Sequence, residues 1–197
     1  ATYDAYPYFI QRVDAARYFI LYVYGGLYAD MDMMPTAELA GVIRDALRRS
    51  PDGASWSCSE GGSAFPSVVL FESKMASRLL PPSTRITNAI MLAPEPQSTF
   101  FRHVIDGLVP AFERTPSLHY LGNYYNVLST TGSRFLNLRF LDYRHSHPLQ
   151  DAREEVCVVP TVLTRRAIIS LQGSSWHEGA TSSFIRTFIQ PLLIWAA

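Results

Sequence analysis

Hydrophobic positions in this chain fall into short blocks whose spacing alternates between helical and strand-like. Apolar residues at helical spacing, ended by glycine, proline or polar clusters, predict helices over 10–24, 38–49, 97–112, 121–129 and 135–138. Compact apolar runs predict strands over 27–30, 55–59, 68–71, 88–92 and 156–159, with loops over 32–35 and 74–84. Because strands alternate with helices and no linker divides them, the pattern predicts a single α/β domain over residues 1–197.

The first predicted helix is apolar nearly all the way round. Such a helix is expected to be buried, and buried charges need partners. Asp14 and Arg17 stand three residues apart, so they share one face of this helix. Two interpretations stay open: the two residues form a structural ion pair with each other, or both line a polar pocket that binds a hydroxylated ligand.

An Asp-x-Asp pair follows the first predicted strand. Residues i and i+2 of a strand point to the same side, with their Cα atoms roughly 7 Å apart. Asp30 and Asp32 can therefore address one small volume, where a divalent cation such as Mg²⁺ or Mn²⁺ relieves their repulsion. The plain alternative is a solvated turn, in which Asp32 caps the segment that follows.

Composition narrows the function classes. The chain has 197 residues, 48% of them hydrophobic, and its formal net charge is zero. Zero net charge argues against a general nucleic-acid binder and against adsorption to membranes through a basic face. Cys58 and Cys157 lie far apart in sequence, and buried free thiols are the expectation for both. The apolar segment 187–197 is shorter than the roughly 20 residues a spanning helix needs, so it is expected to belong to the core, with the first half of a longer membrane anchor as the alternative.

The segment from residue 12 to residue 32 reads RVDAARYFILYVYGGLYADMD. It resembles the core signature of a sugar-transferase family that contains the initiating alpha-1,6-mannosyltransferases and the inositol-phosphoceramide mannosyltransferases, glycosyltransferase family 32. It is more distantly similar to the glucosylating domain of the large clostridial toxins. The matching positions are Asp14, Arg17, Gly25, Gly26, Tyr28, Asp30 and Asp32.

Later segments extend the resemblance over roughly residues 7 to 179. Residues 87–93 read TNAIMLA and resemble the family strand whose asparagine, here Asn88, faces the donor sugar. Residues 173–178 read GSSWHE and resemble the element that closes over the donor diphosphate, with Ser175, Trp176 and His177. Residues 131–135 occupy the place of a Gly-Pro turn that opens a helix, and Ser133 replaces the proline.

The resemblance implies a GT-A-like fold, with a mixed sheet flanked by helices, and a metal-dependent retaining glycosyltransferase. It implies that Asp32 and Asp30 bind Mn²⁺ or Mg²⁺, with His177 completing the metal shell, and that Asp14 and Arg17 contact sugar hydroxyls. It places Gly26, Tyr28, Asn88, Ser175 and Trp176 against the donor, although Tyr28 is equally a core aromatic and Asn88 equally a partner for a backbone carbonyl.

The implied donor is GDP-mannose, with a UDP-hexose as the second choice, and the implied acceptor is a glycan or a glycolipid. No nucleic-acid partner is expected, and the implied location is the Golgi or another endomembrane lumen, with any membrane anchor outside this chain.

The sequence leaves two alternative functions. The strands that open the family's domain and build its base pocket have no counterpart before Asp14, so the domain is expected to be N-terminally incomplete. A non-catalytic remnant that binds or scaffolds a partner is therefore the alternative. A metal-dependent phosphohydrolase fits worst, because Met34 stands where the aspartate-nucleophile phosphatases have threonine.

Overall fold

A computed structural model describes residues 2–47, 66–73, 86–114, 122–147 and 156–171 of the protein. The helices are α1 (Thr2–Ala5), α2 (Phe9–Tyr24), α3 (Leu39–Leu47), α4 (Thr99–Asp106), α5 (Leu108–Arg114), α6 (Gly122–Thr130), α7 (Ser133–Ser146) and α8 (Thr161–Ala167). The strands are β1 (Gly26–Ala29), β2 (Met33–Pro35), β3 (Val68–Glu72), β4 (Ile86–Ala93), β5 (Val156–Val159) and β6 (Ile168–Ser170).

Four strands form a mixed sheet in the order β1-β4-β3-β5. Strand β4 is antiparallel to both β1 and β3, whereas β5 runs parallel to β3. Strands β2 and β6 pair antiparallel in a separate two-stranded sheet. The predicted α/β class with a mixed sheet flanked by helices is thereby confirmed.

The central strands are buried on both faces. On one face Val68 and Leu70 join a core formed with helices α2, α4 and α7, and on the other Val69 and Phe71 join a core formed with α3 and α8. Continuous apolar runs suit strands that are covered on both sides, because neither face meets water. This explains why 68–71 and 88–92 showed no polar alternation in the sequence.

Helix α2 is long, as predicted, but only one side of it is buried. The buried positions are Gln11, Asp14, Ala15, Arg17, Tyr18 and Leu21. Ile20 and Val23 are about half exposed, at 48% and 52%, and Tyr24 is 78% exposed. The expectation of a helix buried all round is therefore wrong. The face that packs inside is the one that carries the charges.

One predicted helix is two in the structure. The segment 97–112 divides into α4 and α5 at Gly107. Pro110 explains the break, because in a continuous helix its ring would clash with the carbonyl group four residues earlier and it has no N–H to donate. Ser98, and not Pro96, opens α4 by accepting a hydrogen bond from the Phe101 N–H at 3.4 Å.

Several elements had no clear sequence signal. The predicted loop 32–35 contains β2, which pairs with β6, and neither β6 nor α8 was predicted. The short strands β2 and β6 are stabilised by pairing with each other across a long stretch of sequence, which a local pattern cannot reveal. The predicted helix 135–138 is the beginning of the much longer α7, which opens at Ser133 after the turn at Gly132.

Several predictions lie outside the described residues: the strand 55–59, the loop 74–84, the tail 187–197, Cys58, and the site residues Ser175, Trp176 and His177. Cys157 in β5 is disulfide-bonded, so the expectation of a free thiol is wrong for this residue. Among the residues that the structure describes, no helix has both the length and the apolar character needed to cross a membrane.

Candidate active site

Strand pairing brings the end of β1 beside the middle of β4. Ala29 pairs with Ile90, and the next residue, Asp30, donates its backbone N–H to the carbonyl of Ala89 at 2.8 Å. Since Asn88 directly precedes Ala89 in the chain, this register places Asp30 close to Asn88. Two predicted site residues that lie far apart in sequence therefore meet at the edge of the sheet.

Asp30 and Asp32 lie in a turn between β1 and β2 and not on a strand. The Met33 N–H donates to the Asp30 carbonyl at 2.9 Å, which closes the turn, and the intervening Met31 is fully exposed. The argument that both carboxylates share a face of one strand is therefore wrong. The turn nevertheless keeps the two charges close enough for Asp32 to raise the pKa of Asp30, a smaller cause than burial.

Arg17 connects helix α2 to this turn. Its Nη2 lies 3.1 Å from Asp30 Oδ1, and its Nη1 lies 3.1 Å from Asp14 Oδ1. Nη1 also donates to the Asn88 carbonyl at 3.2 Å. The side chains of Arg17 and Asp14 are only 8% and 5% exposed, compared with 26% for Asp30. One guanidinium therefore joins a buried carboxylate to a more accessible one.

Asp14 has a partner on each carboxylate oxygen. Asn88 Nδ2 donates to Oδ1 at 3.1 Å, beside Arg17, and Thr131 Oγ1 donates to Oδ2 at 3.2 Å. A buried carboxylate is tolerated when hydrogen bonds and an opposite charge compensate it. The structure thus contains the ion pair of the first interpretation, while direct contact of Asp14 or Arg17 with a sugar stays a prediction. The partner of the Asn88 side chain is a carboxylate, which neither alternative for that residue anticipated.

Tyr28 on β1 completes the surroundings of Asp30. Its hydroxyl donates to Asp30 Oδ1 at 2.7 Å, and the Arg17 guanidinium lies over its ring, 5.1 Å from the centroid. The half-buried ring also packs against the core beneath the sheet. Tyr28 therefore does serve as a core aromatic, and its contact with a nucleotide stays a prediction. Gly26 opens β1 at φ 88°, and no atom of the described residues lies within 4 Å of the place where its Cβ would stand.

Burial dominates the electrostatics of the cluster. It raises the pKa of Asp14 to about 6, although Arg17 and the hydrogen bond from Thr131 act in the opposite direction. Burial also raises the pKa of Asp30, against the effects of Arg17 and Tyr28. The pKa of Arg17 is raised, because Asp14 and Asp30 together outweigh the lowering effect of its burial. The guanidinium therefore stays charged at any ordinary pH.

Asp32 differs from the other acidic residues of the site. Within the described part of the chain its half-buried carboxylate accepts no hydrogen bond and forms no ion pair, and the same holds for Asp30 Oδ2. The same part of the chain holds no group of three or more His, Cys, Asp or Glu side chains that could enclose a metal ion. Two carboxylates alone fit a hard cation that takes its remaining ligands from water and from substrate phosphates.

Two residues of this cluster were missed by sequence reasoning. Thr131 contacts Asp14, and its carbonyl accepts a hydrogen bond from the Tyr18 hydroxyl at 2.7 Å. Tyr18 follows Arg17 in the motif, and Thr131 stands in the turn that was interpreted only as a helix start. No pattern in the sequence predicted that Tyr18 and Thr131, more than a hundred positions apart, contact each other.

The comparisons with known proteins agree with this site. Residues 1–54 match the family described as glycosyltransferase sugar-binding region containing DXD motif. The match includes α2, β1 and the turn with Asp30 and Asp32, which is the DXD motif itself. This part of the chain is therefore similar to the DXD region of glycosyltransferases, and the mixed sheet with flanking helices is consistent with a GT-A-like domain.

The named relatives are mannosyltransferases of yeasts. Inositol phosphoceramide mannosyltransferase 3 of Schizosaccharomyces pombe is 64% identical over 56 residues, which is 27% of this chain and 16% of that protein. Inositol phosphoceramide mannosyltransferase 1 of the same organism is 28% identical over 189 residues, 93% of this chain and 47% of that protein. Mannosyl phosphorylinositol ceramide synthase CSH1 of Saccharomyces cerevisiae is 27% identical over 199 residues, 98% and 42% of the two chains.

The chain is thus homologous to these enzymes, and the predicted family resemblance is confirmed. It spans less than half the length of the relatives it matches. No solved structure matches it significantly.

Proposed function

We propose that this chain forms the donor site of a metal-dependent, retaining glycosyltransferase that transfers a hexose from a nucleotide-sugar to a glycan or glycolipid acceptor. The observation that carries the proposal is the position of Arg17, held between Asp14 and Asp30 at the Asp-x-Asp turn. The names of the relatives favour mannose as the sugar, hence GDP-mannose as the donor, and a phosphoinositol-containing ceramide as the acceptor.

The cation site consists of Asp32 and Asp30 Oδ2. Asp14, Asp30 and Asp32 carry three negative charges around the single positive charge of Arg17 when all are ionised. This excess favours binding of a divalent cation together with a diphosphate. Mn²⁺ or Mg²⁺, when bound there, neutralises negative charge on the departing nucleoside diphosphate. His177 remains a proposed further ligand outside the described residues.

The direction from which the donor binds is inferred from the different solvent exposure of the residues in the cluster. Asp30 and Asp32 are its more accessible members, so the diphosphate approaches from their side, where the Tyr28 hydroxyl also lies. Arg17 and Asn88 face the sugar from behind. The Arg17 Nε–H is buried and has no hydrogen-bond partner among the described residues.

Asp14 acts through Arg17 in this proposal. A direct bond between its carboxylate and a sugar hydroxyl would displace one of the partners that now compensate its charge. Fixed charges that need no rearrangement during the reaction are the most effective way to stabilise a transition state. Ser175 and Trp176, which lie outside the described residues, are proposed to contact the diphosphate. We name no covalent nucleophile, and retention of configuration rests on the family resemblance.

The proposed location is an endomembrane lumen such as the Golgi. The disulfide at Cys157 supports it, because disulfides persist in oxidising compartments.

The test is calorimetric titration of GDP and of UDP into the protein, with and without Mn²⁺. We expect GDP to bind only when Mn²⁺ is present, and we expect Asp32→Asn to abolish that binding. Asp45→Asn is the matched control, because Asp45 is an exposed aspartate on α3 outside the cluster.

Each result has a separate meaning. Mn²⁺-dependent binding of UDP in place of GDP would change the donor but keep the reaction class. Binding without sugar transfer to a lipid acceptor would favour the non-catalytic binding module. Absence of binding for both nucleotides, in a protein that is folded by circular dichroism, would contradict the proposal.

A further inference from the structure

The turn between α6 and α7 contacts the buried end of the charge cluster. Thr131, in this turn, is fully buried, and its hydroxyl lies 3.2 Å from Asp14 Oδ2. The same hydroxyl lies 3.4 Å from the Val127 carbonyl. A hydroxyl has one hydrogen to donate, and the shorter contact to an ionised acceptor is the stronger of the two. Thr131 therefore donates chiefly to Asp14.

The Thr131 hydroxyl sits on a backbone that has little freedom. The Thr131 carbonyl accepts a hydrogen bond from the fully buried Tyr18 at 2.7 Å, and its N–H donates to the Val127 carbonyl at 3.1 Å. At the next position, a Cβ added to Gly132 would come within 3.0 Å of the Leu128 backbone, so the turn packs tightly against α6. The hydroxyl is thereby held at a fixed place relative to α2.

The position of this hydroxyl determines how the Asp14 carboxylate is oriented. Among the described residues, Thr131 is the partner of Oδ2, whereas Arg17 and Asn88 share Oδ1. A carboxylate held by both oxygens cannot rotate freely about its terminal bond. Oδ1 is thereby kept towards Nη1 of Arg17, and this leaves Nη2 directed at Asp30.

We propose that Thr131 is a positioning residue of the donor site, which fixes Asp14, through it Arg17, and through Arg17 the Asp30 carboxylate beside the cation. This inference rests on the proposed function, because it assumes that Asp30 serves donor and cation binding. It assigns to the α6–α7 turn a part in the site, although this turn does not itself reach the Asp-x-Asp motif.

The neighbouring residue Thr130 provides a matched control. It is also buried, and its hydroxyl also connects the end of α6 to α2, by accepting a hydrogen bond from Gln11 Nε2 at 2.6 Å. Its contacts do not include Asp14, because its hydroxyl donates to the Asn126 carbonyl at 2.8 Å. Thr130→Val and Thr131→Val therefore remove the same hydroxyl group from adjacent residues, the last of α6 and the first of the turn, and only the second removes a partner of the cluster.

The experiment measures the affinity of the nucleotide–Mn²⁺ pair and the thermal midpoint for both variants and for Thr131→Ser. We expect Thr131→Val to weaken Mn²⁺-dependent nucleotide binding about tenfold, the scale of one hydrogen bond to a charged group. Thr131→Ser restores the hydroxyl and should bind within about threefold of the wild type. Thr130→Val should lower the thermal midpoint without weakening binding. Unchanged binding in Thr131→Val, or an equal loss in Thr130→Val, would overturn the inference.

A second readout does not require any donor to bind. The Asp14 carboxyl resonance can be titrated by carbon NMR in the wild type and in both valine variants. We expect Thr131→Val to raise the pKa of Asp14, since the lost hydrogen bond favours the ionised form, and Thr130→Val to leave it unchanged. Wild-type protein that binds no nucleotide would refute the proposed function alone, whereas an Asp14 pKa that is the same in all three proteins would refute the role of Thr131.

Discussion

Nη2 of Arg17 lies 3.1 Å from Oδ1 of Asp30, and this contact joins the buried face of helix α2 to an accessible turn. The other end of the same guanidinium is held 3.1 Å from Asp14, deeper in the protein. The planar guanidinium group of an arginine suits this arrangement, because its N–H groups point in different directions and the group stays charged. The exposed part of the site is thus fixed by a partner that solvent hardly reaches.

Replacement of Arg17 by lysine keeps the positive charge but removes the planar guanidinium group with its divergent N–H donors. Arg17→Lys cannot satisfy both carboxylates at once, so we expect nucleotide binding to weaken by tenfold or more and stability to fall by about 1–3 kcal/mol. Urea unfolding and calorimetry measure the two effects. Arg12→Lys, on the same helix, is the control and should change stability by less than about 1 kcal/mol. Equal effects of both variants would show that the bridge is unimportant.

The two acidic residues of the turn should differ in their effect on stability. Asp30 accepts bonds from Arg17 and Tyr28, whereas Asp32 has no such partner in the described part of the chain. We expect Asp30→Asn to destabilise the protein by about 1–3 kcal/mol and Asp32→Asn to change stability by less than about 0.5 kcal/mol. Both variants should lose Mn²⁺-dependent binding. A large loss of stability in Asp32→Asn would mean that Asp32 has a structural role.

Stability should depend on pH through Asp14. The pKa of this residue is raised from 3.8 to about 6 by burial, so the folded protein binds its proton more tightly than the unfolded chain does. This contribution to stability is fully present below the unfolded pKa and is lost as the pH rises through the folded value.

The measurement compares the free energy of unfolding of the wild type with that of Asp14→Asn, which cannot ionise. The difference should fall by on the order of 3 kcal/mol between pH of about 4 and about 7. The pKa of Asp30 is raised in the same direction, and because the Asp30 charge acts on Asp14, the difference measures Asp14 together with this coupling. Arg17 stays charged and Tyr18 stays neutral in this range, since the pKa of each is raised. A difference independent of pH would contradict the raised value.

The glycine that ends α2 should not tolerate a side chain. Gly25 has φ 65°, and an added Cβ would lie 3.0 Å from the backbone of Ala93 and of Glu95. We expect Gly25→Ala to cost about 2 kcal/mol or more. Gly41, inside α3, has no atom of the described part of the chain within 4 Å of its Cβ position, so Gly41→Ala should stabilise the protein by about 0.5–1 kcal/mol. Thermal unfolding of the two variants tests the predicted loss and the predicted gain of stability. Unchanged stability in Gly25→Ala would show that this turn can relax.

Local patterns predicted the elements that are long or strongly apolar. Helix α2 and strands β3, β4 and β5 appear within a few residues of their predicted bounds, because their signal lies in consecutive residues. Elements that depend on distant partners were missed. Strand β2 exists because Pro35 pairs with Ile168 across the fold, and nothing in 32–35 announces that partner.

The same division applies to the site. The sequence by itself determined the motif, with Asp14, Arg17, Asp30 and Asp32 at fixed spacings, and hence the family and the reaction class expected of it. Only the tertiary structure decided that Asp14 points inward, that Arg17 bridges it to Asp30, and that Thr131 holds the buried end. A motif fixes which groups are present within one short segment. Their partners come from β4 and from the α6–α7 turn, and only folding brings these elements to α2. A buried charge is stable only beside groups that compensate it, and the packing of distant elements decides which groups those are.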